Sequence, residues 1–537
     1  MLNIYCIHFK GIFVNNQYII TYDLGTTGNK AALFDFRLNL ISQFKVDYPI
    51  YYPQKGWAEQ EAEDYWNSMN QTTKSLLSDS NIDPEQIKAI ICDCQMNCTV
   101  PINKNGEALM RCINWLDTRA VNITKKFRKG LIKISGFGIL KLLRFIKITG
   151  GAPGVNGKDP ISHILWIKEK RPQIYQDTYK FLSVKDYVLY KCTNNAVTSR
   201  DLGNTSWLMN TKPDVLDWSD KILEMLDLER EKLPQIKKAT EIAGELTEEA
   251  ANSLGLKSNI PVFVGSGDIT SAAIGSGAIK ENEIHICLGT ADWVAAHTFE
   301  RKKDLMHYTG SICSAKDDYL CLSKQETGAA CLDWARDQIF TGEIAQFGDN
   351  KQELYKYLDE IVQKAGPGSK NLIFTPWLFG ERSPLNDPDV RGGFYNLSLE
   401  HTRSHLLRAI YEGVAYNIKW ALEYIEKLVG KSSSINIIGG GALSDVWCQI
   451  LADILDRQIN QMKDPNLGST RGSAVIALVG LGELKEFNEA THLIEIEKKF
   501  NPRSEAKLIY TELYREFLKI YKRNKKMFKN LNLENTP

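Results

Sequence analysis

Two short stretches of the chain combine residue types that suit phosphate binding. Residues 18–35 read YIITYDLGTTGNKAALFD, and residues 284–299 read IHICLGTADWVAAHTF. Each contains an apolar run, the tripeptide Leu-Gly-Thr and a second apolar run with paired alanines. Glycine lets the backbone turn tightly, and the threonine hydroxyl and the turn amides can then face an anion. The pattern predicts two phosphate-binding corners; the alternative is two unrelated β-hairpins that share a common turn.

The corners differ in the residue that precedes the turn. The candidate phosphate ligands are the small residues of both turns, Gly25, Thr26, Thr27, Gly289 and Thr290. The first corner carries Asp23, whereas the equivalent position of the second is Cys287. Because Mg²⁺ prefers oxygen ligands and keeps much of its water, one carboxylate is a sufficient protein ligand. Asp23 is therefore the candidate metal ligand, directly or through water.

These corners need strands to position them, and the surrounding pattern supplies strands. Short β-branched runs end in turn residues, as in QYIITYDL, IKAIICDC, NIPVFVGSG, EIHICLG and INIIGGG. Amphipathic stretches at 159–170, 400–428 and 445–457 are typical of helices between them. Such alternation predicts α/β domains with largely buried sheets, whose ligand loops follow the carboxyl ends of the strands.

Bulk composition excludes several classes of protein. A chain of 537 residues exceeds one hydrophobic core, which predicts two large domains or three. A net charge of +1 does not favour nucleic-acid binding.

The 11 dispersed cysteines fit a reducing cytoplasm, and packing is the favoured role for Cys92, Cys94 and Cys98. No apolar run approaches the roughly 18 residues of a membrane span. Residues 1–17 lack a signal-peptide pattern and are interpreted as an extension or an early start codon.

Two further motifs are discounted. GGAPGVNGKD (150–159) is similar to a phosphate-binding P-loop, but Ala152 replaces a required glycine and Asp159 replaces Ser/Thr, so an ordinary loop is favoured. Segment 130–150 is apolar and basic, with Lys141, Arg144 and Lys147 on one stripe. It suits a membrane surface or a helix packed on the domain, and we favour the packed helix.

With both corners in view, the chain resembles the FGGY family of carbohydrate kinases, and within it the xylulose-kinase-like members. The resemblance extends over about residues 18–500 and depends on several motifs in order. They are DLGTT (23–27), WAEQEAEDYW (57–66), CQMNCTVPINKNGE (94–107), INWLDTRA (113–120), GSGDITSAAIGSGA (265–278), CLGTADW (287–293), LFGERSPLNDPDVRGGFYNL (378–397) and IIGGGALSDVWCQILADIL (437–455).

The resemblance implies an α/β fold of two ribonuclease-H-like domains, of the sugar-kinase and actin type, flanking a cleft. We place an N-terminal domain for sugar and phosphate at 18–264 and a C-terminal domain for nucleotide at 265–485. Residues 1–17 would be an extension, and residues 486–537 a C-terminal helical appendage. The GERSP segment within the family signature is interpreted mainly as structural.

The resemblance also implies an activity, ATP-dependent phosphorylation of a sugar hydroxyl with Mg²⁺. Phosphoryl transfer needs a phosphate cradle, a metal, a base and alignment. Asp268 matches the family's general base, although an aspartate after glycine is also a common turn residue. Lys30 matches a basic residue that offsets charge on the transferring phosphoryl group; the alternative is a solvated strand lysine.

The sugar side matches the family less well. The candidate substrate residues are Gln95, Met96, Asn97, Asp117, Arg119 and Ile269. Xylulose kinases usually read Gln-Met-His-Gly, where this chain has Asn97 and Cys98, and some carry Asn where it has Ile269. Glycerol kinases place an Arg-Glu pair at 96 and 97, which argues against glycerol. Asp117 fits a hydroxyl acceptor with Arg119 behind it, or the two residues only pair and shape their loop.

The nucleotide side is assigned to a glycine turn that enters a helix. Gly440 and Gly441 present backbone on which adenosine can lie, and Ser444 caps the helix. Trp334 borders the same pocket or packs in the core.

The leading hypothesis is a cytoplasmic kinase of a ketopentose such as D-xylulose. The alternatives are a kinase of another ketose or polyol (ribulose, fuculose or ribitol type), a non-sugar actin-like ATPase and an inactive sugar sensor. The partner expected is a small sugar, with no nucleic acid and no membrane, and a homodimer stays open because related kinases often form one.

Overall fold

The alternating apolar strands and amphipathic helices assemble into two mixed β-sheets in the computed structural model. The structure describes residues 17–130, 133–134, 137–212, 215–348 and 350–532. The predicted extension at 1–17 lies outside these residues, apart from residue 17. Each sheet anchors one large domain, and a deep cavity separates the two. The α/β prediction is confirmed.

The first sheet has six strands. In spatial order they are Ile242–Glu245, Pro261–Gly267, Ile87–Cys94, Tyr18–Leu24, Gly28–Asp35 and Leu40–Asp47. The three central strands, beginning at Pro261, Ile87 and Tyr18, run parallel, and the outer neighbours are antiparallel. Residues on both faces of the strand Tyr18–Leu24 are buried, as expected for a sheet that is covered on both sides.

The second sheet has eight strands. In spatial order they are Lys303–Asp304, Thr309–Cys313, Tyr319–Lys324, Asp292–Thr298, Ile284–Leu288, Ser434–Ile438, Gln458–Met462 and Ile496–Phe500. Its last six strands repeat the pairing pattern of the first sheet, with two antiparallel pairs, two parallel pairs and an antiparallel edge.

The two Leu-Gly-Thr corners occupy equivalent positions in this repeat. The first joins Tyr18–Leu24 to Gly28–Asp35, and the second joins Ile284–Leu288 to Asp292–Thr298. In both sheets the first strand of the hairpin pairs in parallel with the next strand inward. The echo in the sequence therefore corresponds to one structural unit that is present twice.

Helices cover the outer face of each sheet. Ala62–Ser80, Val184–Thr193 and Glu248–Leu254 pack on the first sheet. The second sheet is covered by Ala330–Gln338, Lys351–Gln363, Arg403–Val429, Asp445–Leu455 and Ser504–Asn532. The last of these includes most of the predicted helical appendage, and its Phe517 packs against Trp377 with ring centroids 5.5 Å apart.

Two helices lie between the sheets and share a third core with them. These are Asp268–Gly275 and Gly468–Leu481. They cross at glycines, since a Cβ on Gly275 would lie 1.9 Å from the carbonyl oxygen of Gly468. The strand Pro261–Gly267 belongs to the first sheet, so the domain boundary that we predicted at residue 265 falls within a strand of that sheet.

A smaller lobe is inserted between Cys112–Ile113 and Gln235–Lys237, with its own apolar core. Its helices are Val121–Phe127, Ile139–Thr149, Pro160–Lys170, Pro172–Asp177 and Asp220–Leu226. The short helix Arg200–Thr205 instead contributes Leu202 to the core of the first sheet. The described part of segment 130–150 contains Ile139–Thr149, which buries Phe145 and Thr149 and exposes Arg144 and Lys147. This helix therefore packs on the lobe. In the described residues no helix has the length and hydropathy needed to cross a membrane.

Candidate active site

A cavity of 3120 Å³ lies between the two domains and collects residues from distant parts of the chain. Sixteen of the eighteen predicted site residues line it: Asp23, Gly25, Thr26, Thr27, Lys30, Gln95, Met96, Asn97, Arg119, Asp268, Ile269, Gly289, Thr290, Gly440, Gly441 and Ser444. Asp117 and Trp334 do not line it.

Backbone hydrogen bonds hold both corners, from within the turn at the first corner and from residues 328 and 329 at the second. The N–H of Gly25 donates to the carbonyl of Gly28 (3.0 Å), and the carbonyl of Gly289 accepts from the N–H of Ala329 (2.7 Å). The Thr26 hydroxyl accepts from Nε1 of Trp115 (3.0 Å), which leaves its proton free to donate to an oxygen anion. Both turns line the cavity.

The acid of the first corner has a buried neighbour that the sequence did not single out. Asp93 is paired in register with Asp23 on the adjacent parallel strand and is fully buried. Its Oδ2 accepts from the hydroxyl of Ser473 (2.7 Å). Burial and the nearby Asp23 carboxylate raise the pKa of Asp93 well above its usual range. This shift favours the neutral form of Asp93, which lessens the repulsion between the two acids on this wall.

The donor set suits a magnesium ion carried in with a nucleotide. Asp23 is half-buried and faces the cavity. Among the described residues no group of three His, Cys, Asp or Glu side chains is placed to hold a metal ion. One carboxylate together with phosphate oxygens and water is the usual environment of Mg²⁺ at phosphoryl-transfer sites.

Asp268 stands where the strand Pro261–Gly267 passes into the helix Asp268–Gly275. Its Oδ1 accepts from the N–H of Ile269 (2.8 Å). Burial raises the pKa of Asp268 to about 7; Lys324 works against this shift, and Asp23 adds to it. A carboxylate with a pKa near neutrality is well matched to accept a proton from a hydroxyl.

Two residues fix the turn that presents Asp268. The buried carboxylate of Asp201 accepts from the N–H of Gly267 (2.7 Å) and from the hydroxyl of Thr270. A Cβ on Gly267 would lie 2.8 Å from Cγ of Met96, so a side chain here would displace that of Met96. Met96, predicted as a sugar residue, therefore packs directly against the turn. No motif in the sequence pointed to Asp201.

Lys30 spans the two domains. Its Nζ donates to the carbonyl of Asn466 (2.8 Å), which belongs to the turn before the helix Gly468–Leu481. The side chain is half-buried in the cavity wall, so it is not a solvated strand lysine. Its role toward a phosphoryl group stays a prediction.

The two amides on the acceptor side differ in their hydrogen bonds. The Gln95 amide is bonded at both ends, because its Nε2 donates to Gln60 (2.8 Å) and its Oε1 accepts from Asn114 (2.9 Å). Asn97 lines the cavity with a backbone φ of 64°, and its Oδ1 is buried without a hydrogen-bond partner in the described residues. Asn97 is thus the amide that can bind a substrate hydroxyl.

Asp117 is placed differently from the hydroxyl acceptor that we expected. Its carboxylate is fully buried and accepts from the N–H of Ala58 (2.6 Å) and from Nε of Arg119 (2.9 Å). Arg119 also donates to Glu59 (2.7 Å) and lies 3.7 Å from the ring centroid of Trp57. These bonds occupy the carboxylate of Asp117, so the pair shapes its loop.

The glycine turn on the nucleotide side packs tightly on the second corner. A Cβ on Gly441 would lie 2.5 Å from Cγ of Leu288, the residue before the corner. Ser444 accepts from the N–H of Trp447 (3.0 Å), the cap that we predicted, and donates to Oδ1 of Asp359 (2.8 Å). Trp334 is half-buried against the core and stacks on Phe374 at 6.4 Å.

A group of cationic side chains in the cavity was missed from the sequence. The cationic cluster comprises Lys158, Lys324 and Arg382, with Glu326 beside them. Lys158 comes from the loop that was discounted as a P-loop, and Arg382 from the GERSP segment interpreted as structural. The segment is structural in part, because buried Glu381 accepts the N–H groups of residues 326 and 382 (3.0 and 2.8 Å).

Residues 18–275 match the N-terminal domain model of the FGGY family of carbohydrate kinases, and residues 285–481 match its C-terminal domain model. The chain is 28% identical over 508 residues to the gluconokinase of Bacillus subtilis (strain 168), covering 94% of this chain and 95% of that protein. It is 26% identical over 520 residues to the xylulose kinase of Staphylococcus epidermidis (strain RP62A), covering 96% and 98%.

Solved structures give the same result. The ligand-bound xylulose kinase of Lactobacillus acidophilus superposes with a TM-score of 0.83 at 26% identity, covering 96% of this chain and all of that one (100%). The resemblance drawn from the motifs is confirmed, and so is the two-domain sugar-kinase and actin-type fold. Gluconate and xylulose are substrates named for relatives at nearly equal identity.

Proposed function

This chain belongs to the FGGY family of carbohydrate kinases, and we propose that it transfers the terminal phosphoryl group of ATP to a hydroxyl of a small sugar or sugar derivative. One observation carries this proposal. Two acids distant in sequence, Asp23 and Asp268, face the same cavity as the two Gly-Thr corners. The arrangement supplies a phosphate cradle, a metal ligand and a base within one cleft.

The base step follows from the environment of Asp268. As the acceptor oxygen attacks the terminal phosphorus of ATP, its proton passes to the Asp268 carboxylate. The new P–O bond forms while the bond to the bridging oxygen breaks, and ADP leaves. A pKa of about 7 keeps a large share of Asp268 ionised at neutral pH, so it accepts the proton readily.

The corners bind and orient the phosphates. The turns at Gly25–Thr27 and Gly289–Thr290 face the triphosphate from opposite walls, and Lys30 offsets charge on the transferring group. Asp23 would hold the Mg²⁺ that enters with ATP. The metal supplies charge neutralisation when bound. The raised pKa of Asp93 behind Asp23 favours the neutral form of Asp93, which limits repulsion between the two acids.

Adenosine is assigned to the glycine turn. Gly440 has no atom within 4 Å of an added Cβ, so this turn presents open backbone to the cavity. Ser444 and Asp359 lie at the same edge of the cavity. Trp334 is not part of this proposal, because its ring packs against Phe374.

Two acceptor classes are candidates. A ketopentose such as D-xylulose, or another ketose or polyol, fits the motif resemblance and the relatives named xylulose kinase. A sugar acid fits the relatives named gluconokinase, and one specific observation favours it, the cationic cluster of Lys158, Lys324 and Arg382. Location in the cytoplasm and assembly as a homodimer stay proposals.

The test is an assay of ADP formation with the full chain, MgATP and a panel of pentuloses, hexuloses, polyols and sugar acids. We expect turnover that depends on one class of acceptor and is lost in Asp268→Asn. ATP hydrolysis that no acceptor stimulates would favour an actin-like ATPase and overturn the proposal.

A further inference from the structure

We propose that the cationic cluster of Lys158, Lys324 and Arg382 is a carboxylate-binding subsite for the acceptor, so that the substrate is an open-chain sugar acid. This inference rests on the proposed kinase function and deepens it by naming the substrate class. The contacts that carry it join the lysines to Trp115 and Phe379, and Trp115 in turn donates to Thr26 of the first corner (3.0 Å).

The cluster is built around one indole ring. Nζ of Lys324 lies 5.1 Å and Nζ of Lys158 lies 5.9 Å from the ring centroid of Trp115. Lys158 is also 5.7 Å from the ring centroid of Phe379. Arg382 completes the group through its bond to Oε1 of Glu326 (2.9 Å). Aromatic faces hold the ammonium groups in place without neutralising them.

Charge in this cluster is only partly balanced by the protein. Glu326 pairs with Arg382, but among the described residues no carboxylate lies within 4.0 Å of Nζ of Lys158 or Lys324. Burial lowers the pKa of both lysines and Arg382 adds to this shift, whereas Glu326 opposes it at both lysines and Asp268 opposes it at Lys324. Three half-buried cations share one paired carboxylate, and a bound anion would offset the remaining charge.

The position of the cluster favours the acceptor over the nucleotide. Lys324 is close enough to Asp268 for each to shift the pKa of the other. Trp115 follows Asn114, which holds the amide of Gln95 on the acceptor side (2.9 Å). The glycine turn assigned to adenosine packs instead on Leu288 at the second corner.

The chemistry required of the substrate follows from these positions. One end carries a carboxylate that meets the lysines and Arg382. Another part of the same molecule carries the hydroxyl that meets Asp268. A polyhydroxy acid such as an aldonate has both groups, whereas a ketose or a polyol has only hydroxyl and carbonyl groups for the cluster.

The experiment uses acceptors matched in everything except charge. D-gluconate and D-glucitol differ only in a carboxylate against a hydroxymethyl group, and D-xylonate and xylitol form a second such pair. We would measure kcat/KM for each, and for D-xylulose, with the wild type, Lys158→Gln and Lys55→Gln. Lys55 is an exposed lysine that lines the same cavity and serves as the matched control.

We expect each acid to exceed its neutral partner in kcat/KM. In Lys158→Gln, kcat/KM for the acid should fall about 30-fold or more, because truncating one side of a buried charge pair is costly. The kcat/KM for its neutral partner should change little. Lys55→Gln should leave the ratio of kcat/KM between acid and neutral partner unchanged. Lys158→Arg keeps the positive charge and should keep most of the wild-type kcat/KM for the acid.

Other results would overturn the inference. The anion that the cluster binds could instead be the terminal phosphate of ATP. The affinity for ATP is therefore measured for the wild type and Lys158→Gln in the absence of an acceptor. Weaker ATP binding in Lys158→Gln, with equal losses for acid and neutral acceptors, would assign the cluster to ATP. Turnover of neutral acceptors alone would exclude the carboxylate subsite and leave the kinase function intact. Absence of turnover with every acceptor would overturn both.

Discussion

The phosphate end and the acceptor end of the cavity are built in different ways. The phosphate end consists of two Gly-Thr turns at equivalent positions of two similar sheets, and most of its contacts come from backbone. The acceptor end is assembled from side chains of separate loops, among them Asn97, Trp115, Lys158 and Lys324. A backbone cradle suits a ligand part that never varies, whereas side chains can be exchanged to suit a new acceptor.

The comparison also separates two kinds of positioning. At the phosphate end, the sheets fix the turns through paired strands. At the acceptor end, single buried residues fix the loops. Asp201 holds the turn before Asp268, and Glu381 ties residue 326 to residue 382. We therefore expect variants at the two ends to change different kinetic constants.

The largest effect is expected where the two ends meet. Asp268→Asn should lower kcat by about 10²–10⁴-fold, because general base catalysis contributes that much. The affinities for ATP and acceptor should change little, since the amide keeps the shape of the side chain. Turnover by coupled assay and binding by calorimetry would separate the two.

The control for this variant is Asp177→Asn, which alters an exposed helix end far from the cavity. Its kinetics should equal those of the wild type. If Asp268→Asn kept near-normal turnover, Asp268 would not be the base. It would then also not be the residue at which the phosphate end and the acceptor end act together.

The pH dependence tests whether Lys324 at the acceptor end tunes the base. Since Asp268 must be ionised, kcat/KM should fall as pH falls through about 7. Lys324 opposes the upward shift, so Lys324→Met should raise the pKa of Asp268 and move the profile to higher pH. Lys55→Gln should not move it. An unshifted profile in Lys324→Met would show that the two groups do not interact.

The phosphate end was largely predictable from the sequence, for a physical reason. Its turns need glycine and threonine at fixed spacing after an apolar strand, and that requirement leaves a readable pattern at residues 23–27 and 287–290. The same applies to Ser444, where a helix cap has few alternatives.

The acceptor end was predicted poorly because its partners are set by tertiary contacts. Lys158, Lys324 and Arg382 are more than 50 residues apart from one another and follow no common motif. Asp117 was misleading, because the sequence looks the same whether its carboxylate binds a substrate hydroxyl or pairs with the nearby arginine, as it does in the structure. The domain boundary was also hard to place, because the strand Pro261–Gly267 continues the first sheet beyond residue 265.

A smaller effect should be confined to the acceptor end. Asn97→Gly removes the unpaired amide oxygen but keeps the φ of 64°, which glycine accepts. We expect KM for the acceptor to rise about three- to tenfold, the value of one neutral hydrogen bond, while KM for ATP is unchanged. Asn81→Gly makes the same substitution at a similar φ of 54° on the surface and should change neither constant. A rise in KM for ATP as well as in KM for the acceptor would contradict the idea that the two ends of the cavity act separately.

The smallest effect should be confined to the nucleotide edge of the phosphate end. Ser444→Ala removes the cap of the helix Asp445–Leu455 and the bond to Asp359. We expect a loss of about 1 kcal/mol in the free energy of unfolding, and a modest rise in KM for ATP alone. Ser219→Ala is the control, because Ser219 precedes a helix without making a side-chain cap bond.

The pH dependence of this loss distinguishes the two bonds of Ser444. Burial raises the pKa of Asp359 to about 6, and the hydroxyl of Ser444 opposes the shift by donating to the ionised form. Without that donor the pKa rises further, so ionising Asp359 costs the variant more than the wild type. The destabilisation measured by denaturant unfolding should therefore be larger at pH 8 than at pH 5. An equal loss at both pH values would assign the whole effect to the helix cap and leave Asp359 without a part in the nucleotide edge.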